Sequence, residues 1–328
     1  MFGAVQLGLF AAVVVLCPYG YGSGTSFISS PSGSLPQSSF IINLYSCFTL
    51  LHQVAFNFQE LNNNSVSDSK SGSWKWVESE NDVNCDLQKL TKNDASDLLN
   101  GSWVVVAGDS QARLMVVSLL ELLLGENKME IIRGDLFQRH SDYNIFVDEI
   151  GMKLDFMWAP YVSNLTDLVL GFQGKTSYPD VFVMGAGLWD MLHVNNASDY
   201  GVSLKSLKDS VVLLLPVSAN DDSNVVVPVR LPNLFWLGIP KLISSMLNTD
   251  EKKEKMSGVM WQAYNDELYR SNLLQQSGSP LFLLDVHSLS SNCGARCTAD
   301  GMHYHGAVYE TVVHIMLNGL LIESNQKL

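Results

Sequence analysis

The chain alternates short apolar runs with longer stretches in which apolar residues recur at helical spacing. The short runs predict buried strands. The clearest of the longer stretches, Gln111 to Leu124 and Ala307 to Ile322, predict helices. Such alternation indicates parallel strands joined by helical crossovers. The candidate strands are Trp103–Ala107, Met129–Arg133, Met152–Trp158, Val181–Gly185, Leu234–Ile239 and Leu281–Asp285.

This pattern predicts an α/β fold, a three-layer α/β/α sandwich with a mainly parallel sheet. In such folds the site lies beyond the carboxyl ends of the strands, where several connecting loops meet. We therefore expect Ser110, Gly185 and the loop around Asp300 to converge at that edge.

A candidate nucleophile stands where the first of these strands ends. Gly108, Asp109 and Ser110 follow Trp103–Ala107, so Ser110 would lie on a strand-to-helix turn with free N–H groups beside it. Asp109 has an alternative role as a simple helix cap. A serine hydroxyl is a weak nucleophile until a neighbouring base removes its proton.

The base and its orienting carboxylate are predicted about 190 residues later, in Asp300-Gly301-Met302-His303. Within one turn, Asp300 can bond one ring nitrogen of His303 and leave the other facing Ser110. Ser110, His303 and Asp300 are therefore the predicted catalytic residues. His287, which follows Asp285 at a strand end, is the alternative base.

These motifs together resemble the SGNH, or GDSL-type, hydrolase superfamily. The closer resemblance is to polysaccharide O-acetylation proteins of plants, including the trichome-birefringence-like group, and to the lumenal domains of sialate O-acetyltransferases (the PC-esterase type). It runs from about Trp103 to Asn318. The matching segments are Gly108–Arg113, Asp155–Pro160, Pro179–Trp189, Gln262–Asn265 and Asp300–His303.

The resemblance implies an SGNH-like, flavodoxin-like fold and transfer of an acetyl group, through an ester of the serine, to a cell-wall polysaccharide of the xyloglucan or xylan type. Two alternatives stay open: an O-acetylesterase with the same triad, and a non-catalytic accessory protein. An acetyl donor is required, and the sequence does not identify it or decide whether a multi-span membrane partner delivers it. The chain has no Gly-rich phosphate loop, so no cofactor is expected.

The oxyanion donors are less clear, because many members of the superfamily carry a Gly-x-Asn-Asp element that is absent here. The backbone N–H of Ser110 is expected to contribute by position, with Gly134, Gly187 and the side chain of Arg113 as further candidates. Trp158 and Trp189 stand near predicted strand ends. They are candidates for a sugar-stacking wall, with an equal reading as core aromatics.

The N-terminal region divides into an apolar leader over residues 1–24 and a stem or linker over 25–73, before a catalytic domain over 74–328. The leader predicts either a cleavable signal peptide, giving a secreted or lumenal protein, or a signal anchor. The resemblance favours a Golgi type II anchor with a lumenal domain. A second apolar stretch, 40–58, contains too many polar residues for a clear membrane span.

Composition and cysteine usage agree with a lumenal setting. The net charge of −13 argues against a nucleic-acid partner, because binding phosphates needs clustered Lys and Arg. An oxidising compartment favours a disulfide from Cys293 or Cys297, for which Cys85 is one candidate partner. A metal site is not expected, since no second cysteine pair is present. Sequons for glycosylation stand at Asn63, Asn100, Asn164 and Asn196.

Overall fold

The computed structural model describes residues 47, 50–57, 73–77, 85–173, 175, 177–214, 232–274, 281–304 and 306–324. The predicted leader, most of the predicted stem and the sequon at Asn63 lie outside these residues. No helix in the described part of the chain is long and apolar enough to cross a membrane.

The strands form two sheets. A small antiparallel pair, β1 (Val54–Asn57) and β2 (Ser73–Trp76), precedes the main domain. The main sheet has the order β4-β5-β3-β6-β7-β8, and only the edge strand β4 is antiparallel to its neighbour. Its strands are β3 (Trp103–Gly108), β4 (Tyr143–Val147), β5 (Met152–Trp158), β6 (Val181–Gly185), β7 (Asn233–Leu237) and β8 (Leu281–Leu284).

Helices cover both faces of the main sheet. The first face is covered by α1 (Lys92–Leu98), α2 (Ser110–Leu124), α3 (Glu126–Leu136), α9 (Val286–Cys293) and α10 (Gly306–Ser324). The second face is covered by α4 (Val162–Phe172), α5 (Leu188–His193), α6 (Ala197–Leu214) and α8 (Gly258–Arg270). A short exposed helix, α7 (Asp250–Lys255), precedes α8. The predicted three-layer α/β/α fold is confirmed.

Strand β3 shows why the apolar runs are continuous. Val104 and Val106 belong to the core under α2 and α10, whereas Val105 and Ala107 belong to the core under α4 and α6. All four side chains are fully buried. A parallel strand covered on both faces needs apolar side chains at every position, rather than at alternate ones.

The parallel strands follow the spatial order β5-β3-β6-β7-β8, so the chain reverses its direction of winding between β3 and β6. This is the switch point at which doubly wound sheets form their sites. Residues that follow β3 and β6 therefore border one crevice.

Two secondary-structure expectations were wrong. Met129–Arg133 is not a strand but part of α3, in which Met129, Ile132 and Leu136 bury one face at helical spacing. β4 was missed because it is an edge strand with one exposed face, on which Phe146 is 57% exposed.

The expected disulfide at Cys293 and Cys297 is present, but Cys85 is not its partner. Cys85 pairs with Cys47, and Cys293 pairs with Cys297. The first bridge links the segment before β1 to the segment before α1. The second closes a short loop at the end of α9, three residues before Asp300.

Three of the four sequons lie in described residues. Asn100 and Asn196 are exposed. Asn164 is half-buried in the first turn of α4, where its side-chain oxygen accepts a hydrogen bond from the backbone N–H of Tyr161 at 3.3 Å.

Candidate active site

Ser110 is the first residue of α2 and lies on the turn after β3. Asp109 caps the helix, since its Oδ1 accepts a hydrogen bond from the backbone N–H of Gln111 at 2.9 Å. The turn is tight because β3 and β6 approach closely there. A Cβ atom on Gly108 would lie 2.4 Å from the carbonyl oxygen of Gly185, so only glycine fits.

The structure brings Ser110, His303 and Asp300 into one hydrogen-bonded chain. The Oγ–H of Ser110 donates to Nε2 of His303 at 2.7 Å. Nδ1–H of His303 donates to Oδ2 of Asp300 at 2.6 Å. This arrangement places the neutral ring with its acceptor nitrogen towards the serine, as a general base requires.

The loop that carries Asp300 is built to hold the carboxylate still. Its Oδ1 accepts hydrogen bonds from the backbone N–H groups of Met302, at 3.0 Å, and His303, at 2.8 Å. Partial burial raises the pKa of Asp300, but the hydrogen bonds from His303 and Met302 outweigh burial and hold the pKa below its ordinary value. Asp300 therefore stays ionised beside the imidazole.

Gly301 lets this loop turn. Its φ of 79° lies in the left-handed region, and a Cβ atom there would lie 2.6 Å from the carbonyl oxygen of Ile243. The backbone N–H of Ile243 in turn donates to the carbonyl of Gly301 at 2.9 Å. Close backbone packing against Ile243 therefore fixes the position of the loop that carries Asp300.

Gln111 connects the nucleophile's helix to the His303 loop, a role that sequence reasoning missed. Its Nε2 donates to the carbonyl of Met302 at 3.1 Å, and its Oε1 accepts a hydrogen bond from the hydroxyl of Tyr309 on α10. Gln111 is buried. The sequence signal for this contact was a glutamine directly after the serine that begins the helix, since its side-chain amide can reach a neighbouring loop.

A cavity of about 310 Å³ opens beside Ser110 and His303. Trp158 and Trp189 line it, with ring centroids 5.6 Å apart in an edge-to-face arrangement. His140 stacks on Trp158 at 4.8 Å. The two predicted tryptophans thus form one aromatic wall of the cavity.

Arg113 also lines the cavity, although its side chain is largely buried. The guanidinium carbon lies 5.0 Å from the ring centroid of Trp158 and 5.2 Å from that of Phe156. Its Nε and Nη2 atoms make no hydrogen bond to any residue that the structure describes. Burial lowers the pKa of Arg113 from its ordinary value, and the nearby Asp109 carboxyl opposes that shift. The guanidinium stays protonated at neutral pH. Its Nε–H and Nη2–H groups can therefore donate to a ligand in the cavity.

The other two oxyanion candidates have different positions. Gly134 lies inside α3 and is exposed to solvent, so its N–H is used within the helix. The expectation for Gly134 was therefore wrong. Gly187 precedes α5 with a φ of 140°, and the next two residues, Leu188 and Trp189, line the cavity.

Two buried carboxyl groups lie behind the serine. Burial raises the pKa of Asp109 to about 6, against hydrogen bonding to Gln111 and the charge of His303. Burial raises the pKa of Asp190 to about 7, with the charge of Asp109 adding to the shift. Neither group lines the cavity.

His287, the alternative base, lies on α9 against Trp261 and does not contact Ser110.

No family model matches the chain. The chain is 48% identical over 338 residues to Protein ALTERED XYLOGLUCAN 9 of Arabidopsis thaliana, and the match covers 99% of this chain and 90% of that protein.

Solved structures of low sequence identity are also similar. A catalytic mutant of Axe2, an acetylxylan esterase from Geobacillus stearothermophilus, has a TM-score of 0.38 and 12% identity, covering 71% of this chain and 96% of that one. TesA has a TM-score of 0.35 and 13% identity, covering 65% and 95%. Both scores are low, so the fold assignment rests on the strand order and layers of this chain.

Proposed function

Because the chain belongs to the family of the plant protein ALTERED XYLOGLUCAN 9, we propose that it is an O-acetyltransferase acting on cell-wall polysaccharide in the secretory pathway. The single observation that carries the proposal is the hydrogen-bonded chain from Ser110 through His303 to Asp300.

The proposed reaction has two halves with the same residues. His303 Nε2 takes the proton from Ser110 Oγ as that oxygen bonds to the acetyl carbonyl carbon. The intermediate collapses, the bond to the donor's leaving group breaks, and His303 returns the proton to that group. A sugar hydroxyl then attacks the Ser110 ester, again losing its proton to His303, and Ser110 recovers a proton as the product leaves.

Stabilisation of the oxyanion is assigned to two groups at the start of α2. The N–H of Ser110 belongs to the first turn, where N–H groups have no acceptor within the helix. Arg113, one turn further on, lines the same cavity with two unpaired nitrogen atoms. Its positive charge would favour the anionic intermediate over the neutral ester. This pairing compensates for the absent Gly-x-Asn-Asp asparagine.

We assign to the aromatic wall the binding of the acceptor sugar. Trp158 and Trp189 present ring surface within a cavity that holds the serine, which suits the apolar faces of a sugar ring. The polar ring hydroxyls would remain free for the chemistry at Ser110.

A carbohydrate O-acetylesterase is the second candidate, and one observation favours it. The side chain of His303 is 37% exposed, so water can reach the position from which an acceptor hydroxyl would attack. The same triad then hydrolyses the acetyl-serine. A non-catalytic accessory role would require that no acetyl-serine forms.

Intact mass spectrometry of the purified full chain after incubation with p-nitrophenyl acetate separates these functions. A single acetyl adduct on Ser110, absent from Ser110→Ala and retained in the exposed-site control Ser206→Ala, is expected. The adduct should then decay faster with xyloglucan or xylan oligosaccharides, which should gain the acetyl group. Decay at one rate in buffer with or without glycan would indicate an esterase. No adduct on the folded protein, with several activated esters, would overturn both enzymatic functions.

A further inference from the structure

A second cavity, of about 210 Å³, lies at the carboxyl ends of β7 and β8 beneath α8. It shares no lining residue with the cavity beside Ser110. Its wall contains Tyr264 and Asn265 of α8 and the Asp285 and His287 pair, which the triad does not use. The lining residues that matter below are Ile239, Trp261, Asn265, Tyr269, Asp285 and His287.

The aromatic part of this wall is held in a fixed orientation. The ring of Trp261 stacks on the imidazole of His287, with centroids 3.6 Å apart and an interplanar angle of 22°. Its indole N–H donates to the carbonyl of Ile239 at 3.4 Å. Asp285 is committed to capping α9, since it accepts hydrogen bonds from both the N–H and the hydroxyl of Ser288. The wall is therefore built before any ligand arrives.

Three other polar side chains of the wall are available to bond a ligand. The amide of Asn265, the hydroxyl of Tyr269 and the ring nitrogens of His287 make no hydrogen bond to another described residue. Burial lowers the pKa of His287, against the charge of Asp285, so the ring is neutral near pH 7. Asn265 and His287 are partly buried and Tyr269 is exposed. Unpaired donors and acceptors grouped in one cavity favour a ligand that supplies hydrogen bonds.

The charge of the wall restricts the ligand further. The described lining contains no Lys or Arg, so nothing there would neutralise a phosphate or carboxylate. The only acidic group, Asp285, has its carboxylate occupied by Ser288. An aromatic surface with neutral amide, phenol and imidazole groups matches a neutral polyhydroxylated ring.

We propose that this second cavity is a subsite for a pyranose unit of the acceptor glycan, with Trp261 as the apolar wall and Asn265, Tyr269 and His287 bonding to its hydroxyls. The inference rests on the proposed function for its choice of glycan. It adds a second point of attachment, separate from the aromatic wall at Ser110.

The position of the subsite fits an extended chain. Ser110 follows β3, and the sheet continues β6-β7-β8 from there, so both cavities open at the same edge. At about 4.8 Å between neighbouring strands, the subsite lies roughly 12 Å along the sheet edge from the serine. An extended glycan spans that distance with a few sugar units, so one acceptor molecule can occupy both cavities.

Direct binding of glycan tests the subsite without relying on catalysis. Titration calorimetry with xyloglucan and xylan oligosaccharides would compare the wild-type chain with Trp261→Ala, Asn265→Ala and Tyr269→Phe. We expect affinity to fall at least about tenfold for Trp261→Ala. For each of the other two variants we expect roughly a two- to tenfold loss, as for one hydrogen bond. Gln262→Ala, on the same helix but outside the cavity, should bind as the wild type does.

Acetylation of Ser110 by p-nitrophenyl acetate supplies the second readout, because that small ester needs no acceptor subsite. Its rate should change by less than about twofold in all four variants, since none lies at the triad. Glycan binding unchanged in Asn265→Ala and Trp261→Ala would overturn the subsite, whatever happens at Ser110. Conversely, glycan binding that depends on Trp261 and Asn265, in a wild-type chain that never acetylates Ser110, would uphold the subsite and overturn the proposed transferase.

Discussion

Asp190 is buried beneath the site with one carboxylate oxygen, Oδ2, that has no hydrogen-bond partner among the described residues. An ionised carboxylate in such a place is costly, which is why its pKa rises to about 7. Asp109, close enough to repel it, has a pKa of about 6. Between the ordinary pKa of 3.8 and these raised values, the folded protein keeps protons on Asp109 and Asp190 that the unfolded chain has released.

This arrangement predicts that stability falls as pH rises. A carboxyl group whose pKa is higher in the folded state favours folding fully below its ordinary value of 3.8, and that contribution is lost as pH approaches 7. Asp190→Asn, which resembles the protonated acid, should increase the free energy of unfolding relative to the wild type, and by more at pH 8 than at pH 5. Denaturant titrations at both pH values would measure this difference.

Asp97→Asn is the matched control, because Asp97 is exposed and its side chain makes no hydrogen bond to a described residue. It should leave the free energy of unfolding unchanged at both pH values. If Asp190→Asn were instead less stable at pH 8 than at pH 5, relative to the wild type, the Asp190 carboxylate would have to be stabilised by an unseen partner.

The loop between α9 and α10 combines two glycines with nearly the same backbone conformation but different surroundings. Gly294 has a φ of 75° and would have nothing within 4 Å of an added Cβ. Gly301 has a φ of 79°, and its Cβ would meet the carbonyl oxygen of Ile243 at 2.6 Å and the Cβ of Met246 at 2.8 Å. The first position requires only the backbone conformation; the second also requires space.

Substitution of each glycine by alanine should separate these effects. Gly294→Ala is expected to cost about 1 kcal/mol of stability and to leave acetylation of Ser110 intact. Gly301→Ala should cost more and slow acetylation at least about tenfold, because relieving the clash lifts Asp300 and His303 away from Ser110. Thermal melts and the rate of p-nitrophenyl acetate cleavage would measure both. Equal effects of the two substitutions on the rate would contradict this account.

Elements whose own residues determine their environment were predictable from the sequence. The strand before Ser110 is apolar at every position because it is covered on both faces, and its place in the chain was therefore predictable to within one residue. The proximity of Asp300 and His303 follows from their spacing, and the structure confirms that proximity. Their catalytic role stays a prediction.

Elements and contacts that depend on residues far away in the chain were not predictable from local pattern. Within Met129–Arg133 a short window cannot distinguish a strand from one turn of an amphipathic helix, because the distinguishing residue, Leu136, lies outside it. Gln111 bonds to Met302 and Tyr309, both about 190 residues away. The pairing of Cys47 with Cys85 depends on how the segment before β1 meets the domain, which local pattern does not show.

At the scale of the whole molecule, the two disulfides have unequal expected effects on stability. The bridge between Cys47 and Cys85 spans 38 residues, and chain-entropy arguments assign such a loop about 4 kcal/mol. The bridge between Cys293 and Cys297 spans 4 residues, for which the same relation gives about 2 kcal/mol. Disulfides form and persist mainly in oxidising compartments.

The double variant Cys47→Ala/Cys85→Ala should therefore lower the free energy of unfolding by about 4 kcal/mol. It should leave acetylation of Ser110 unchanged, because neither cysteine lines the cavity beside Ser110. Cys293→Ala/Cys297→Ala should lower the free energy of unfolding less and also slow acetylation, since Asp300 follows directly. Chemical denaturation and ester cleavage would measure both quantities. Peptide mapping that joined Cys85 to Cys293 or Cys297 would contradict the assignment.

Ser110 and His303, the proposed nucleophile and base, are 193 residues apart in the chain. Ser110 is synthesised early, whereas His303 follows all six strands of the main sheet, and Gln111 is buried only when Tyr309 on α10 packs against it. During translation, the hydroxyl thus leaves the ribosome long before any group that could activate it. We therefore predict that a nascent chain is inert towards esters and that the proposed activity begins only as the last helix docks, so that this activity would itself report complete folding.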